Sequence, residues 1–256
     1  MATYLLKKSY QLKDLKKTNF NDLWNSRGVF TTMWIFGKPF KILFFKSHIK
    51  NLIKSLTIYK LNKPYLKKNI LKFIKLNLNK NKKYNHLLRI AVNKNIISIS
   101  LRKKKKFKKK FNLKLINYQR IEPEYKNLKY KKILSHLSNL DTSKSDVALC
   151  VDNKILESGT SNILFVSDNK IYSPVSNFYK GITFKFFEKK LVKIIKKNIF
   201  IKSLSTYDEI ILIGSGKGVV SVETIQDTKW IRKSLKFYKI LLKIYQTELK
   251  KCSIYN

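Results

Sequence analysis

The chain has 256 residues and a mass of 30.3 kDa, which is enough for one or two domains with a sizeable core. It is 44% hydrophobic and 13% aromatic, and this composition excludes a disordered tail. Lys and Arg number 56 against 15 Asp and Glu, so the formal net charge is +41, yet only five of the basic residues are arginines. Arg is the residue that proteins favour for bidentate binding of phosphate. A basic excess made almost wholly of Lys therefore favours codon bias in an AT-rich genome over attraction of an anionic partner.

The few cysteines and histidines exclude several classes of site. Cys150 and Cys252 are too few for a disulfide scaffold or a cysteine-based zinc cluster, and the three histidines lie far apart in the sequence. We therefore predict no metal site. The N-terminal residues lack the apolar core of a signal peptide, and no stretch approaches the roughly 18 uncharged apolar residues of a spanning helix. We expect a soluble, cytoplasmic protein with no membrane association and no specific nucleic-acid partner.

The first half of the chain mixes strand and helix patterns. Two β-prone runs at 29–35 and 40–45 predict a hairpin around Gly37. Apolar residues spaced three and four apart predict amphipathic helices over 46–59 and 65–78. Further strands are predicted at 87–91, 96–101 and 113–121.

A basic run at 102–110 follows the strand predicted at 96–101. Such a run is compatible with binding to nucleic acid or another anionic surface, and equally with a solvated loop. Phe107 is its only aromatic residue, whereas single-stranded nucleic acid is usually bound by several aromatic rings that stack on the bases. The sequence therefore favours a solvated loop.

The second half of the chain alternates helices with short strands. We predict helices over 129–140, 183–198 and 233–250, and strands at 147–152, 163–166, 170–172 and 209–213. A break at Glu122-Pro123-Glu124 separates the two halves, so we predict an N-terminal domain over 1–117 and a C-terminal domain over 122–256.

Glycine is scarce, and its positions are informative. Three of the seven glycines fall in Gly214-Ser215-Gly216-Lys217-Gly218, directly after the strand predicted at 209–213. Gly181 stands immediately before a predicted helix. A glycine-rich turn and a helix start both present free backbone N–H groups, so each is a candidate phosphate site, with an ordinary turn or cap as the alternative. Neither sequence is a P-loop or a dinucleotide-binding motif.

Five short motifs occur along the chain, and their order is informative. They are Arg27-Gly28-Val29-Phe30-Thr31-Thr32, Ser47-His48-Ile49-Lys50-Asn51-Leu52, Tyr125-Lys126-Asn127-Leu128-Lys129-Tyr130, Glu157-Ser158-Gly159-Thr160-Ser161-Asn162 and Gly181-Ile182-Thr183. In type and order they resemble the motifs of the class IV (fold-type IV) pyridoxal-phosphate enzymes. That family contains branched-chain and D-amino-acid aminotransferases and 4-amino-4-deoxychorismate lyase. The resemblance covers residues 26–225 and is most specific between Glu157 and Thr183.

The resemblance implies a fold and an oligomeric state. It implies a mixed α/β fold of two domains, with a smaller N-terminal α/β domain and a larger C-terminal domain built on a barrel-like sheet. Family members are generally dimers with the active site near the subunit contact, so the resemblance also implies a homodimer that acts on a small molecule.

The resemblance also implies the cofactor, pyridoxal 5′-phosphate, and the residues that would bind it. Lys126 would hold the aldehyde as an imine and move a proton, and Glu157 would face the pyridine nitrogen. Tyr130 would lie near the ring oxygen. The remaining implied cofactor-binding residues take the phosphate: Ile182, Thr183, Ser215 and Gly216.

The sequence departs from the family pattern at two positions. Asn51 stands where the family usually has an arginine that pairs with the cofactor phosphate, and Phe184 stands where the family often has an arginine directly after the Gly-Ile-Thr turn. An amide supplies a hydrogen bond but no charge, so we expect either weaker phosphate binding or compensation by Lys50 or Lys54.

Two details of the motifs favour a lyase. Thr31 and Thr32 follow Phe30, where branched-chain aminotransferases typically have Glu-Gly, and Tyr130 falls four residues after Lys126 rather than five. The favoured function is therefore the conversion of 4-amino-4-deoxychorismate to 4-aminobenzoate and pyruvate. The alternative is an aminotransferase for branched-chain or D-amino acids that uses 2-oxoglutarate. A third possibility is a relative that binds no cofactor, or that binds nucleic acid.

The lyase substrate carries two carboxylates, so the lyase needs cationic or hydroxyl groups in its substrate pocket. The candidates for substrate binding are Thr31, Arg27 and Arg89.

Overall fold

A computed structural model of the chain describes residues 3–191 and 193–255. The chain forms two compact units: the first comprises the described residues of 1–104, 125–131 and 251–256, and the second comprises 105–124 and 132–250. The domain limits predicted from the sequence, 1–117 and 122–256, stay a prediction. None of the helices in the described ranges combines the length and the apolar composition needed to cross a membrane.

The first unit is an antiparallel sheet with two helices packed on one of its faces. The strands are β1 (Tyr4–Gln11), β2 (Lys17–Thr18), β3 (Gly28–Gly37), β4 (Lys41–Ile42), β5 (Tyr84–Asn93) and β6 (Ile96–Lys103), and the helices are α1 (Phe45–Ile58) and α2 (Leu66–Asn77). The strand order is β2-β1-β6-β5-β3-β4. Alternate residues of β3, among them Met33 and Ile35, join Leu56 of α1 and Ile70 of α2 in one apolar core.

The second unit is built on two five-stranded sheets that enclose a second core. The strands are β7 (Asn112–Asn117), β8 (Ser145–Val151), β9 (Lys154–Ser158), β10 (Asn162–Ser167), β11 (Lys170–Ser173), β12 (Ile194–Lys196), β13 (Ile199–Phe200), β14 (Glu209–Gly214), β15 (Gly218–Ser221) and β16 (Thr224–Ile225). The helices are α3 (Lys131–Ser138), α4 (Ile182–Lys190) and α5 (Lys236–Lys251), with a 3₁₀ helix at Ile201–Thr206. The sheet orders are β12-β11-β10-β14-β15 and β13-β9-β8-β7-β16, and Phe165, Tyr207 and Trp230 belong to the core that both sheets line.

Three predicted elements were wrong in extent. The strand predicted at 40–45 is reduced to β4, because the chain enters α1 at Phe45. The strand predicted at 113–121 ends at Asn117. The helix predicted over 183–198 ends at Lys190, and β12 follows and pairs in parallel with β11. Position 192 of that predicted helix lies outside the described residues.

The segment that carries Lys126 is hydrogen-bonded to the beginning of β3. The Phe30 N–H donates to the Lys126 carbonyl at 2.9 Å, and the Leu128 N–H donates to the Gly28 carbonyl at 2.9 Å. Two motifs that are far apart in the sequence therefore form one short ladder within the first unit. Gly28 is required where β3 lies against both β5 and this segment, because a Cβ atom there would overlap the Val92 carbonyl oxygen and would lie 2.7 Å from Leu128 Cδ1.

Replacing Gly28 by alanine is expected to destabilise the protein by about 2–4 kcal/mol, since backbone must move to relieve the clash. Urea unfolding followed by circular dichroism would measure this change. Thr32→Ala, which removes atoms from the same strand, is the matched control and should cost less. Equal stability of G28A and the wild type would contradict the steric argument.

Candidate active site

Lys126 lies on an aromatic surface of the first unit. Its side chain is half-buried, and its Nζ atom is 4.9 Å from the centroid of the Phe30 ring. The buried Tyr130 ring packs edge-on against Phe30 at 5.7 Å and stacks on Trp24 at 5.6 Å. These three rings, together with Arg89, form what we call the aromatic face.

Arg89 adds a positive charge to the aromatic face. Its register partner on β3 is Thr32, and its guanidinium carbon lies 3.7 Å from the Trp24 ring centroid and 5.1 Å from that of Phe30. Nη2 donates to the Asp22 carbonyl at 2.8 Å, whereas the buried Nε atom has no hydrogen-bond partner among the described residues. Burial lowers the pKa of Arg89 to about 10, so the group stays charged at neutral pH. A half-buried cation with an unused donor suits a carboxylate ligand.

The other two substrate-binding candidates lie elsewhere in the first unit. Arg27 is exposed to solvent just before β3. Thr31 is buried, and its hydroxyl is 2.7 Å from Nδ1 of His48 on α1, on the helix-covered side of the sheet. Because successive residues of a strand point to opposite faces, Thr32 rather than Thr31 shares a face with Arg89.

His48 is a neutral histidine at physiological pH. The ring is buried, and burial lowers its pKa to about 3, with a further lowering from the positive charge of Lys126. A charged imidazole beside the Lys126 ammonium would be repelled, so the neutral ring is compatible with a lysine at this position.

The lowered pKa of His48 predicts acid sensitivity. The unfolded chain binds a proton at this histidine below pH about 6.5, whereas the folded chain does so only near pH 3, so stability falls as the pH falls between these values. We expect a loss of about 2 kcal/mol from His48 between pH 7 and pH 5. Urea unfolding of the wild type and His48→Gln at both pH values would show it as a smaller pH dependence in the variant. Thr31→Ser, which retains the hydroxyl, is the control, and an unchanged pH dependence in H48Q would contradict the prediction.

Glu157 is a buried carboxylate of the second unit. It lies near the end of β9, where the register of β8 and β9 shifts and creates a bulge that re-aims the side chains. Its side chain is 7% exposed, and its Oε1 atom lies 3.0 Å from Nη2 of Arg120. The Tyr179 N–H approaches Oε2 at 3.4 Å. The carboxylate is thus engaged by a cation and a backbone donor, and a carboxylate is the type of group that pairs with a protonated ring nitrogen.

Arg120 pairs with the candidate residue Glu157, and the sequence analysis missed it. Its side chain is 3% exposed, and its Nη2 atom also donates to the Pro123 carbonyl at 2.8 Å. Arg120 and Glu157 are distant in sequence and meet only in the fold. The available signal was composition, since a chain this rich in Lys uses Arg at five positions only.

The start of α4 and the 214–216 turn form a second cluster of donors in the second unit. Gly181 is the N-cap of α4 and no side chain caps the helix, so its first-turn amides are presented at the buried residues Ile182 and Thr183. Asn162 holds this start in place, because its amide oxygen accepts from the Gly181 N–H at 3.1 Å. The Thr183 hydroxyl lies 3.4 Å from the Ser215 hydroxyl of the turn.

This donor cluster fits the phosphate group of pyridoxal 5′-phosphate. It combines a helix start with the hydroxyls of Thr183 and Ser215, the donor types that bind phosphate without a metal. The buried Ser161 hydroxyl, which has no hydrogen-bond partner among the described residues, lies next to Gly214 at the base of the same turn. Phe184, where the family often has Arg, is buried against Phe178, so this position adds no cation to the neutral donors of the cluster.

The residues proposed to compensate for Asn51 lie on α1 in the first unit. Asn51 is half-buried, and both Lys50 and Lys54 are exposed. The structure thus brings together Thr183 and Ser215 in one unit, and Lys126 and Tyr130 in the other. The roles of the predicted site residues stay predictions.

Comparison with known proteins agrees with the motifs. The family model described as amino-transferase class IV matches residues 28–225. The chain belongs to the class IV aminotransferase family. It is therefore a member of a family of enzymes that depend on pyridoxal 5′-phosphate, and its mixed α/β fold with barrel-like sheets is the fold that the resemblance implied.

Individual relatives carry two different names. A Rickettsia bellii protein, provisionally named as a branched-chain-amino-acid aminotransferase, is 31% identical over 172 residues, which cover 57% of this chain and 58% of the relative. The branched-chain aminotransferase of Thermoproteus uzoniensis has a TM-score of 0.78 at 16% identity, covering 97% of this chain and 96% of that one. A Legionella pneumophila protein, provisionally named 4-amino-4-deoxychorismate lyase, has a TM-score of 0.69 at 16% identity, covering 86% and 91%.

Proposed function

We propose that the chain is a pyridoxal-phosphate-dependent lyase that converts 4-amino-4-deoxychorismate to 4-aminobenzoate and pyruvate. The observation that carries this proposal is the aromatic face, where Lys126 shares a surface with flat rings and the cationic Arg89. The unsaturated six-membered ring of this substrate suits packing against aromatic side chains, and its carboxylates suit pairing with a guanidinium. The sequence details at Thr31, Thr32 and Tyr130 support the same choice.

Each residue of the proposed site has a distinct task. The Lys126 amine would hold the cofactor and then remove the proton from the amine-bearing carbon of the substrate. Arg89 would bind a substrate carboxylate and orient the ring. As the ring becomes aromatic, its bond to the enolpyruvyl oxygen would break, and the three-carbon group would leave as enolpyruvate, which takes up a proton to become pyruvate.

The second unit supplies the proposed anchoring groups. Thr183, Ser215 and the first-turn amides of α4 would bind the cofactor phosphate. Glu157, held in place by its ion pair with Arg120, would accept a hydrogen bond from the protonated ring nitrogen. When bound, the cofactor supplies the electron sink for the reaction.

A second candidate is an aminotransferase for branched-chain or D-amino acids. It is favoured by the names of the Rickettsia bellii relative and of the Thermoproteus uzoniensis structure. An amino acid with one carboxylate and an apolar side chain would also find an arginine and aromatic rings on the aromatic face.

One assay separates the two candidates. The purified protein with pyridoxal phosphate is given 4-amino-4-deoxychorismate in the absence of 2-oxoglutarate, and 4-aminobenzoate and pyruvate are measured. Their release in equal amounts would support the lyase. Turnover of an amino acid that requires 2-oxoglutarate, with no 4-aminobenzoate formed, would assign the aminotransferase instead. The homodimer and the cytoplasmic location implied above remain predictions, and light scattering on the purified protein tests the former.

A further inference from the structure

Lys217 is a buried lysine in the turn that joins β14 to β15. Its side chain is 6% exposed, and its Nζ atom lies 3.0 Å from Oδ2 of Asp146 on β8. The ammonium also donates to the Thr160 hydroxyl at 2.7 Å and lies 5.3 Å from the Phe107 ring centroid. Lysine is rarely buried unless its charge is paired, so the burial of Lys217 depends on its contacts with Asp146 and Thr160.

Asp146 joins this lysine to the turn after β9. The carboxylate is completely buried, and its Oδ2 atom also accepts hydrogen bonds from the Ser158 hydroxyl at 3.0 Å and the Thr160 hydroxyl at 2.8 Å. Its Oδ1 atom accepts from the Val147 N–H at 2.8 Å. Every charged atom of the pair is therefore engaged, and the network connects β8, the 158–161 turn and the 214–218 turn.

The 214–218 turn is rich in glycine and needs contacts that fix its conformation. It contains three glycines, and Gly218 has a φ of +75°, so its backbone has more conformational freedom than an ordinary turn. Its Ser215 hydroxyl nevertheless lies 3.4 Å from that of Thr183, within the donor cluster at the start of α4. Since the Lys217 charge is matched by Asp146, the ammonium is not available to pair with a phosphate.

We propose that Lys217 is a positioning residue: its ion pair with Asp146 holds the glycine-rich turn in the conformation in which Ser215 receives the cofactor phosphate. A buried ion pair is weak evidence for net stability, and its best-attested benefit is to specify one arrangement among several. This inference rests on the proposed role of Ser215 in phosphate binding, and it assigns to Lys217 the task of holding Ser215 in position.

The test compares cofactor binding with and without the phosphate. The apoproteins of the wild type, Lys217→Met and Lys217→Gln are titrated with pyridoxal phosphate and with pyridoxal, and the dissociation constants are measured by absorbance. We expect the constant for pyridoxal phosphate to rise about tenfold in both variants and the constant for pyridoxal to change less than about twofold. Lys233→Met, which removes an exposed lysine that pairs with Asp208, is the control for lost charge and should leave both constants unchanged.

Two further measurements keep the outcomes distinct. Ser215→Ala should reduce the preference for the phosphorylated aldehyde, and adding Lys217→Met to it should have little further effect, because both act through one turn. Equal weakening of both aldehydes, or no weakening, in folded variants would overturn the inference. If the wild type shows no preference for pyridoxal phosphate over pyridoxal, the proposed phosphate site itself fails.

Discussion

Replacing Lys126 by alanine is expected to lower turnover roughly 10⁴-fold or more, because the proposed proton-moving amine and covalent attachment point are lost together. Borohydride reduction of the wild type in the presence of pyridoxal phosphate should leave the cofactor attached to the peptide that contains residue 126. Peptide mass spectrometry of the reduced K126A protein should find no attachment.

Lys129→Ala is the matched control for Lys126→Ala. Lys129 lies in the same segment, and its ammonium approaches the Asn25 carbonyl at 3.4 Å, so its loss removes a nearby lysine with a structural contact. K129A should retain the attachment and most of the activity. Attachment at another lysine in the wild type, or full activity in K126A, would contradict the assignment of Lys126 and the proposed function that depends on it.

Replacing Glu157 by glutamine is expected to lower turnover roughly 10²–10³-fold, the range found when one preorganised electrostatic partner is removed. Glutamine retains the size of the side chain but not the charge that keeps a ring nitrogen protonated. The change also leaves the buried guanidinium of Arg120 without its carboxylate, which destabilises the fold. Activity alone therefore does not separate the two effects.

A cofactor analogue separates them. In 1-deazapyridoxal phosphate a carbon replaces the ring nitrogen, so Glu157 has no ring partner. The wild type and E157Q should bind this analogue about equally, whereas E157Q should bind pyridoxal phosphate more weakly than the wild type does. If E157Q loses affinity for both to the same extent, Glu157 acts on the fold and not on the ring nitrogen. Arg120→Lys, which retains the charge, should resemble the wild type more closely than Arg120→Gln does.

The regular elements were predictable where the hydrophobic period was clear. The helix predicted over 46–59 is α1, and the one over 65–78 is α2, because their apolar residues repeat every three or four positions. In β1 and β12, abundant lysines obscure the period. β1 contains lysines on a largely exposed edge region, and the residues after Lys190 are mostly Lys and Ile, a composition that suits helix and strand alike.

The candidate site was predictable only in part, for a different reason. Lys126, Glu157 and Thr183 stand in motifs, and a motif is visible in one stretch of sequence. Arg120 and Asp146 contribute through partners that only the fold brings to them, and neither has a distinctive local sequence. The positions of Thr31 and Thr32 on opposite faces of β3 depend on the strand register, which the motif does not reveal.

The ladder between the 125–131 segment and β3 has a consequence for protein engineering. The Phe30 backbone N–H donates a hydrogen bond to the Lys126 carbonyl, and the Phe30 ring belongs to the aromatic face. A chimaera that takes residues 125–131 from a relative should therefore take residues 27–30 from the same relative, since the two segments are hydrogen-bonded to each other. Grafting one segment without the other would shift the Lys126 amine relative to the Phe30 ring.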